Sequence, residues 1–217
     1  MHGQFSKNSL ILNVIGLSYG SGILSTVLLF PVWRKRFYQE YSEGLYSGVT
    51  LLLAYDCYSI PFSLISSAIA ASVIYPMTLD PQNLDSGFPY LYMVIAIWTS
   101  FMLAEQLSIF FLFFVKTTIN VVIAVTYILC LSIILGSGTV RSNKGLPAIL
   151  QDNAKGTHSR YASSLLHSAV FLSRRLMCVP KNGGKCPSPK EFLHERLGIS
   201  GHPNEPTEIS ICFAFAI

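Results

Sequence analysis

Apolar residues in this sequence come in long unbroken blocks, not in an alternating or a heptad pattern. No charged residue lies between Lys7 and Arg34, between Asp56 and Asp80, or between Lys116 and Arg141. A further block, 88–115, is interrupted only by Glu105. Crossing the hydrocarbon layer takes about 20 consecutive, mostly apolar residues as helix. Inside a bilayer each backbone amide must be satisfied within its own segment, so these blocks are helices and not isolated strands. The pattern predicts spans at 10–32, 53–75, 90–114 and 119–139. The segment 208–217 reads as the start of a further, truncated helix, because its apolar run from Ile209 is too short to cross. The expected fold is all-α: a polytopic membrane helix bundle with four complete transmembrane helices, a large external loop at 141–207 and that last partial helix.

Composition agrees with the pattern. Of 217 residues 51% are hydrophobic and 12% charged, about half the charged share of a typical soluble domain. The net charge of +4 is spread along loops and not gathered on one face, which argues against a nucleic-acid partner. The first apolar block is too long for the core of a cleavable signal peptide, so it is read as a true span. Pro61 is expected to kink the second span, and Pro89 to sit in the first turn of the third.

Lys and Arg in short loops mark the cytoplasmic side. That places Arg34, Lys35, Arg36 and Lys116 in the cytoplasm. The stretch 76–89, with Asp80 and Asp85 but no Lys or Arg, falls outside. Segment 141–207 then lies outside despite its ten Lys and Arg, since segments beyond about 60 residues translocate largely regardless of charge. On an oxidising side Cys178 and Cys186 are expected to form a disulfide, while Cys57 and Cys130 read as apolar fillers within helices. No Asn-x-Ser/Thr sequon occurs to mark the external face. This topology starts with the N-terminus outside and ends in a partial helix, so the chain is expected to be a fragment.

Several stretches carry a resemblance. Phe37, Glu40, Gly44 and Tyr46 fall in the order F-x-x-E-x-x-x-G-x-Y. Leu29-Phe30-Pro31-Val32 precedes them, and Ala54-Tyr55 and Ile60-Pro61-Phe62-Ser63 follow. Gly136-Ser137-Gly138, Arg141 and Pro147 come after the fourth block. In order and spacing these resemble the membrane domain of G-subfamily ABC half-transporters, in particular the sterolins. The resemblance implies that the four spans are the second to fifth of six. It implies export of lipids or sterols, driven by ATP hydrolysis with Mg on a nucleotide-binding domain that is not in this chain. The implied partners are that domain, a second half-transporter subunit (identical or not) and membrane lipid, at the plasma membrane. The sequence has no G-x-x-x-x-G-K-[ST] phosphate loop; its nearest string, Asn182-Gly183-Gly184-Lys185-Cys186, lacks the first glycine and the hydroxyl residue. No catalysis and no cofactor are expected of this chain by itself. The other class open to it is a non-transporting four-span scaffold or an inert truncated product. The Cys-Cys-Gly motif of a tetraspanin loop is missing.

Within 34–44, Phe37, Tyr41 and Leu45 recur every four residues, and Arg36 and Glu40 sit one turn apart. A short cytoplasmic helix with one apolar stripe is expected there. By resemblance Arg36, Phe37, Glu40, Gly44 and Tyr46 form the element that couples to the nucleotide-binding domain; on the residues alone an interfacial linker is the preferred reading. Glu105 is the one ionisable group deep inside a span, and it must face protein or water and find a partner. The resemblance pairs it with Arg141 in an intramembrane polar network, with Gln106, Thr126 and Tyr127 as neighbours; the plainer role is a clamp between helices. Asp56 is expected to reach the membrane interface, Gly16, Gly20 and Gly22 to allow close helix packing, and Phe110, Phe111, Phe113 and Phe114 to face lipid. His158, His167, His194 and His202 lack metal-ligand spacing and read as loop residues. The stretch 156–172 is too polar to span. The family places short re-entrant helices there, and the sterolins carry an acidic and an amide residue where this chain has Ala169 and Val170.

Overall fold

The computed structural model describes residues 2–44, 47–78, 88–137, 147–171 and 205–216. In chain order these form α1 (His2–Ser42), α2 (Gly48–Thr78), α3 (Phe88–Phe114), α4 (Thr118–Gly136), α5 (Ala148–Lys155), α6 (His158–Phe171) and α7 (Glu205–Ala216). The protein is all-helical among its described residues, and α1 to α4 are long and apolar enough to cross a membrane. The blocks of the sequence thus locate the spans. Helices α1 and α2 overrun those spans, α1 by ten residues at its C-terminal end, because proline inside a helix removes one hydrogen bond without stopping the helix. Accordingly α1 runs through Pro31 to Ser42, and α2 runs through Pro61 and on past Pro76 to Thr78.

Helix α3 is the centre of the bundle and packs on α1, α2, α4, α6 and α7. Its apolar window is 56% buried, against 22% for α2 and 22% for α4, which present most of their surface outward. The reason is a ladder of small residues. Ala96, Ser100, Ala104 and Ser108 recur every fourth position and are all buried, so neighbouring backbones approach closely. On α1, Gly22 sits over this ladder: a Cβ there would lie 2.5 Å from the Phe101 carbonyl oxygen and 3.0 Å from the Ala104 Cβ. Gly16 and Gly20 have open space around them, so only Gly22 fulfils the packing role expected of the three.

Many hydroxyl groups stay within their own helix. Ser18, Thr26, Ser67, Ser100 and Ser108 each donate to the carbonyl four residues back. This satisfies them in a dry interior. The hydroxyls that do cross between helices therefore stand out.

The stretch expected as a separate cytoplasmic helix is instead the continuous end of α1. Gly44 then turns the chain at φ +77, a left-handed conformation that glycine adopts without strain, and α2 begins at Gly48. Of the polar stretch, His158–Phe171 forms α6, a helix of 14 residues, about 21 Å long and too short to cross. It is buried against α1, α3, α4 and α7.

Candidate functional site

On α2 the buried residues are Leu51, Tyr55, Ser59, Ser63, Ser67 and Ala71, every fourth position along one ridge. Such a ridge packs into the groove of a neighbouring helix, here α3, and its middle is polar. Opposite it lies Glu105, only 2% exposed. The Tyr55 hydroxyl donates to Oε1 of Glu105 at 2.8 Å, and the Ser59 hydroxyl donates to Oε2 at 2.6 Å. One residue further on each helix, Gln106 Nε2 donates to Asp56 Oδ1 at 2.8 Å. The Trp98 indole donates to Ser63 Oγ at 3.0 Å, and the Tyr90 hydroxyl donates to the Ala68 carbonyl at 3.0 Å. These rungs join antiparallel helices along most of their shared length.

The donor to Glu105 is itself held in place. The Tyr55 ring meets Phe30 edge-on at 5.6 Å and Trp33 edge-on at 6.0 Å between centroids. Both aromatics belong to α1, so three helices fix one carboxyl group. Arg141 lies outside the described residues. Thr126 and Tyr127 are exposed on α4, whose buried edge is Val121, Val125 and Leu129. Glu105 therefore takes its described partners from α2, and Gln106 serves Asp56 instead of Glu105.

A second polar set surrounds α6. The Tyr19 hydroxyl lies 3.0 Å from His158 Nδ1, and His158 Nε2 lies 3.2 Å from Thr99 Oγ1. Thr99 gives its own proton to the Ile95 carbonyl at 2.8 Å. Consistent roles follow: Tyr19 donates to Nδ1, and Nε2–H donates to Thr99. His167 Nδ1 donates to the Ser163 carbonyl at 2.6 Å, and Ser163 Oγ donates to the Ser137 carbonyl at 2.7 Å. Ser164 donates to Glu208 of α7 at 2.9 Å. Burial holds both imidazoles down at about 4, hence neutral at physiological pH. The expectation that His158 and His167 are loop residues is corrected by these contacts; His194 and His202 lie outside the described residues.

At the other end of the bundle the Arg34 guanidinium donates to the Leu112 carbonyl in the last turn of α3. That carbonyl is one of those a helix end leaves without an intrahelical donor, and a cation suits the negative end of the dipole. Phe37 is buried and packs against Tyr41 at 5.3 Å, and Gly48 lies beneath its ring. Arg36 is exposed, Glu40 half-buried, and Tyr46 outside the described residues. The Cys178–Cys186 pair also lies outside them. Cys57 and Cys130 are exposed on their helices. Phe110, Phe113 and Phe114 face outward, whereas Phe111 is half-buried.

Sequence reasoning missed Tyr55, Ser59 and the α6 hub. The four-residue recurrence of Tyr55, Ser59, Ser63 and Ser67 was the available signal. What the arrangement offers chemically is a hydrogen-bonded clamp between α2 and α3. Among the described residues no three His, Cys, Asp or Glu side chains gather as a metal site.

Comparison with known proteins agrees with this architecture. The family described as ABC-2 type transporter matches residues 3–171, which takes in α1, from its second residue, through α6. ATP-binding cassette sub-family G member 5 of Rattus norvegicus is 29% identical over 175 residues, covering 80% of this chain and 26% of that protein. The Homo sapiens and Mus musculus proteins of the same description match to the same extent. The chain thus spans about a quarter of the length of these relatives. It is an integral membrane protein that belongs to the ABC-2 type transporter family.

Proposed function

We propose that the chain is the membrane-spanning part of an ABC-type exporter of lipids or sterols at the plasma membrane. ATP hydrolysis, with Mg, belongs to a nucleotide-binding domain outside this chain, and a second half-transporter subunit completes the pathway. The observation that carries this reading is the family match through all four spans. The geometry adds a route for force. Arg36, Phe37 and Glu40 lie on the last turns of α1 and Gly44 just past its end, where the chain turns toward α2, and a domain closing on that corner displaces both helices. The Tyr55–Glu105–Ser59 clamp passes the displacement to α3, the centre of the bundle. Switching of access then follows as a rigid-body shift of packed helices.

The test is transport itself. Inside-out vesicles holding this chain together with an ATP-binding-cassette subunit are expected to take up labelled sterol or phospholipid when ATP is supplied. Uptake of neither lipid above the ATP-free background would overturn the reading.

A further inference from the structure

Near Arg34, residues of α1 and α2 line a half-open cavity of about 470 Å³, within the size range of small-ligand sites. Val32, Trp33 and Leu51 supply apolar wall, and Arg36, Glu40 and Thr50 supply a cation, an anion and a hydroxyl. Arg36 and Glu40 are one helical turn apart, so both signs of charge face one space. Trp33 shares the α1 face with them, and its ring offers a surface that attracts a cation. The cavity lies beside the cluster Arg34, Lys35 and Arg36, which ends the apolar run of α1 and sets the level of the headgroups.

We propose that this cavity is a binding site for the headgroup of a zwitterionic phospholipid. The phosphate pairs with Arg36 and Thr50, and the ammonium pairs with Glu40 and the face of Trp33. The apolar wall takes the glycerol end of the chains. A purely anionic headgroup meets Glu40, and a purely cationic one meets Arg36, so the pair of charges selects a ligand carrying both. Occupancy also reaches the intramembrane carboxyl group, because Trp33 packs on Tyr55, which donates to Glu105. The proposal goes beyond the transport reading; because that reading gives Arg36 and Glu40 to the docking nucleotide-binding domain, the headgroup occupies the site in the chain without that domain.

Native mass spectrometry of the purified full chain, equilibrated with equal amounts of phosphatidylcholine and phosphatidylglycerol, tests it. Phosphatidylcholine is expected to be retained at least fivefold over phosphatidylglycerol. Arg36→Glu and Trp33→Leu should each abolish that preference, and Glu40→Gln should shift it toward phosphatidylglycerol. Lys35→Glu, on a neighbouring side chain that does not line the cavity, should leave it unchanged. Helix content by circular dichroism identifies any variant that fails to fold, and Glu40→Gln changes no shape. Equal retention of the two lipids by the unchanged chain overturns the proposal. So does an equal loss of preference in Lys35→Glu, which marks diffuse attraction to the surface charge.

Discussion

A carboxyl group buried between helices is held by whatever donors stand opposite, and those described for Glu105 are two hydroxyls of α2. Glu105→Ala leaves the Tyr55 and Ser59 hydroxyls without their acceptor in a dry interface, a loss of about 1–3 kcal/mol. Glu105→Gln keeps the shape, one acceptor and a donor, so its loss is expected to be smaller. A double-mutant cycle of Glu105→Ala with Tyr55→Phe, read by unfolding in mixed micelles, should give a coupling of about 0.6–1.7 kcal/mol. Zero coupling would show that the two residues do not act as a unit. The histidines of α6 give a second residue-scale expectation. Unfolded, each imidazole titrates near 6.5; folded, burial pushes each down to about 4. Between those values the unfolded chain binds more protons. Their contribution is therefore fully present above about pH 6.5 and is lost as pH falls through about 4. Thermal unfolding from pH 7 to pH 4.5 should show a falling midpoint, and the double variant His158→Gln, His167→Asn should flatten that slope. An unchanged slope removes both histidines as its source.

At the scale of elements the contact between α1 and α3 depends on one missing side chain. Gly22→Val places atoms where the Phe101 carbonyl and Ala104 now lie, and neither is the flexible end of a long side chain. Overpacking of this kind costs about 1–3 kcal/mol. Gly16→Val, with nothing within 4 Å, should cost far less. Comparing the two in the same unfolding assay separates close packing from the general effect of a branched residue in the helix. The same contrast shows what was legible in the sequence. A bilayer demands long, mostly apolar runs, so the crossing parts of α1 to α4 were readable from the apolar blocks, Glu105 being the one charge inside them. Rotation of one helix against another leaves no such mark. Gly16, Gly20 and Gly22 look alike in sequence, and only the register of α1 on α3 selects Gly22. Ser67 and Ser59 look alike too, yet Ser67 bonds within its own helix while Ser59 crosses to Glu105. Helix α6 was hard to place because its serines and histidines read as solvent-facing until their partners on α1, α3, α4 and α7 are known.

The molecule as a whole has a polar interior strip and an apolar exterior. Val49, Leu53, Phe62, Ile65, Ile69 and Val73 of α2 point outward, as do Ile119, Ile123 and Ile134 of α4. That exterior sets the depth of the bundle in the bilayer but not which end faces the cytoplasm; the basic residues set that. Helix α1 has 41 residues, about 60 Å of rise, so its two ends lie on opposite sides of a layer about 30 Å thick. Its basic end, at Arg34, reaches the last turn of α3 through the Leu112 carbonyl. Lys116 follows directly after α3, so Arg34, Lys35, Arg36 and Lys116 gather at one end of the bundle. Short-loop cations concentrated at one end are held on the cytoplasmic side. Position 190 follows one further crossing, by α4, and is expected on the opposite side. In a chain with Cys57, Cys130, Cys178, Cys186 and Cys212 replaced by serine or alanine, single cysteines at positions 35 and 190 report the orientation. An impermeant maleimide should label position 190 on intact cells and position 35 only after permeabilisation. Labelling at 35 but not at 190 on intact cells inverts the molecule. Labelling at both places them on one side and is incompatible with α4 crossing between them.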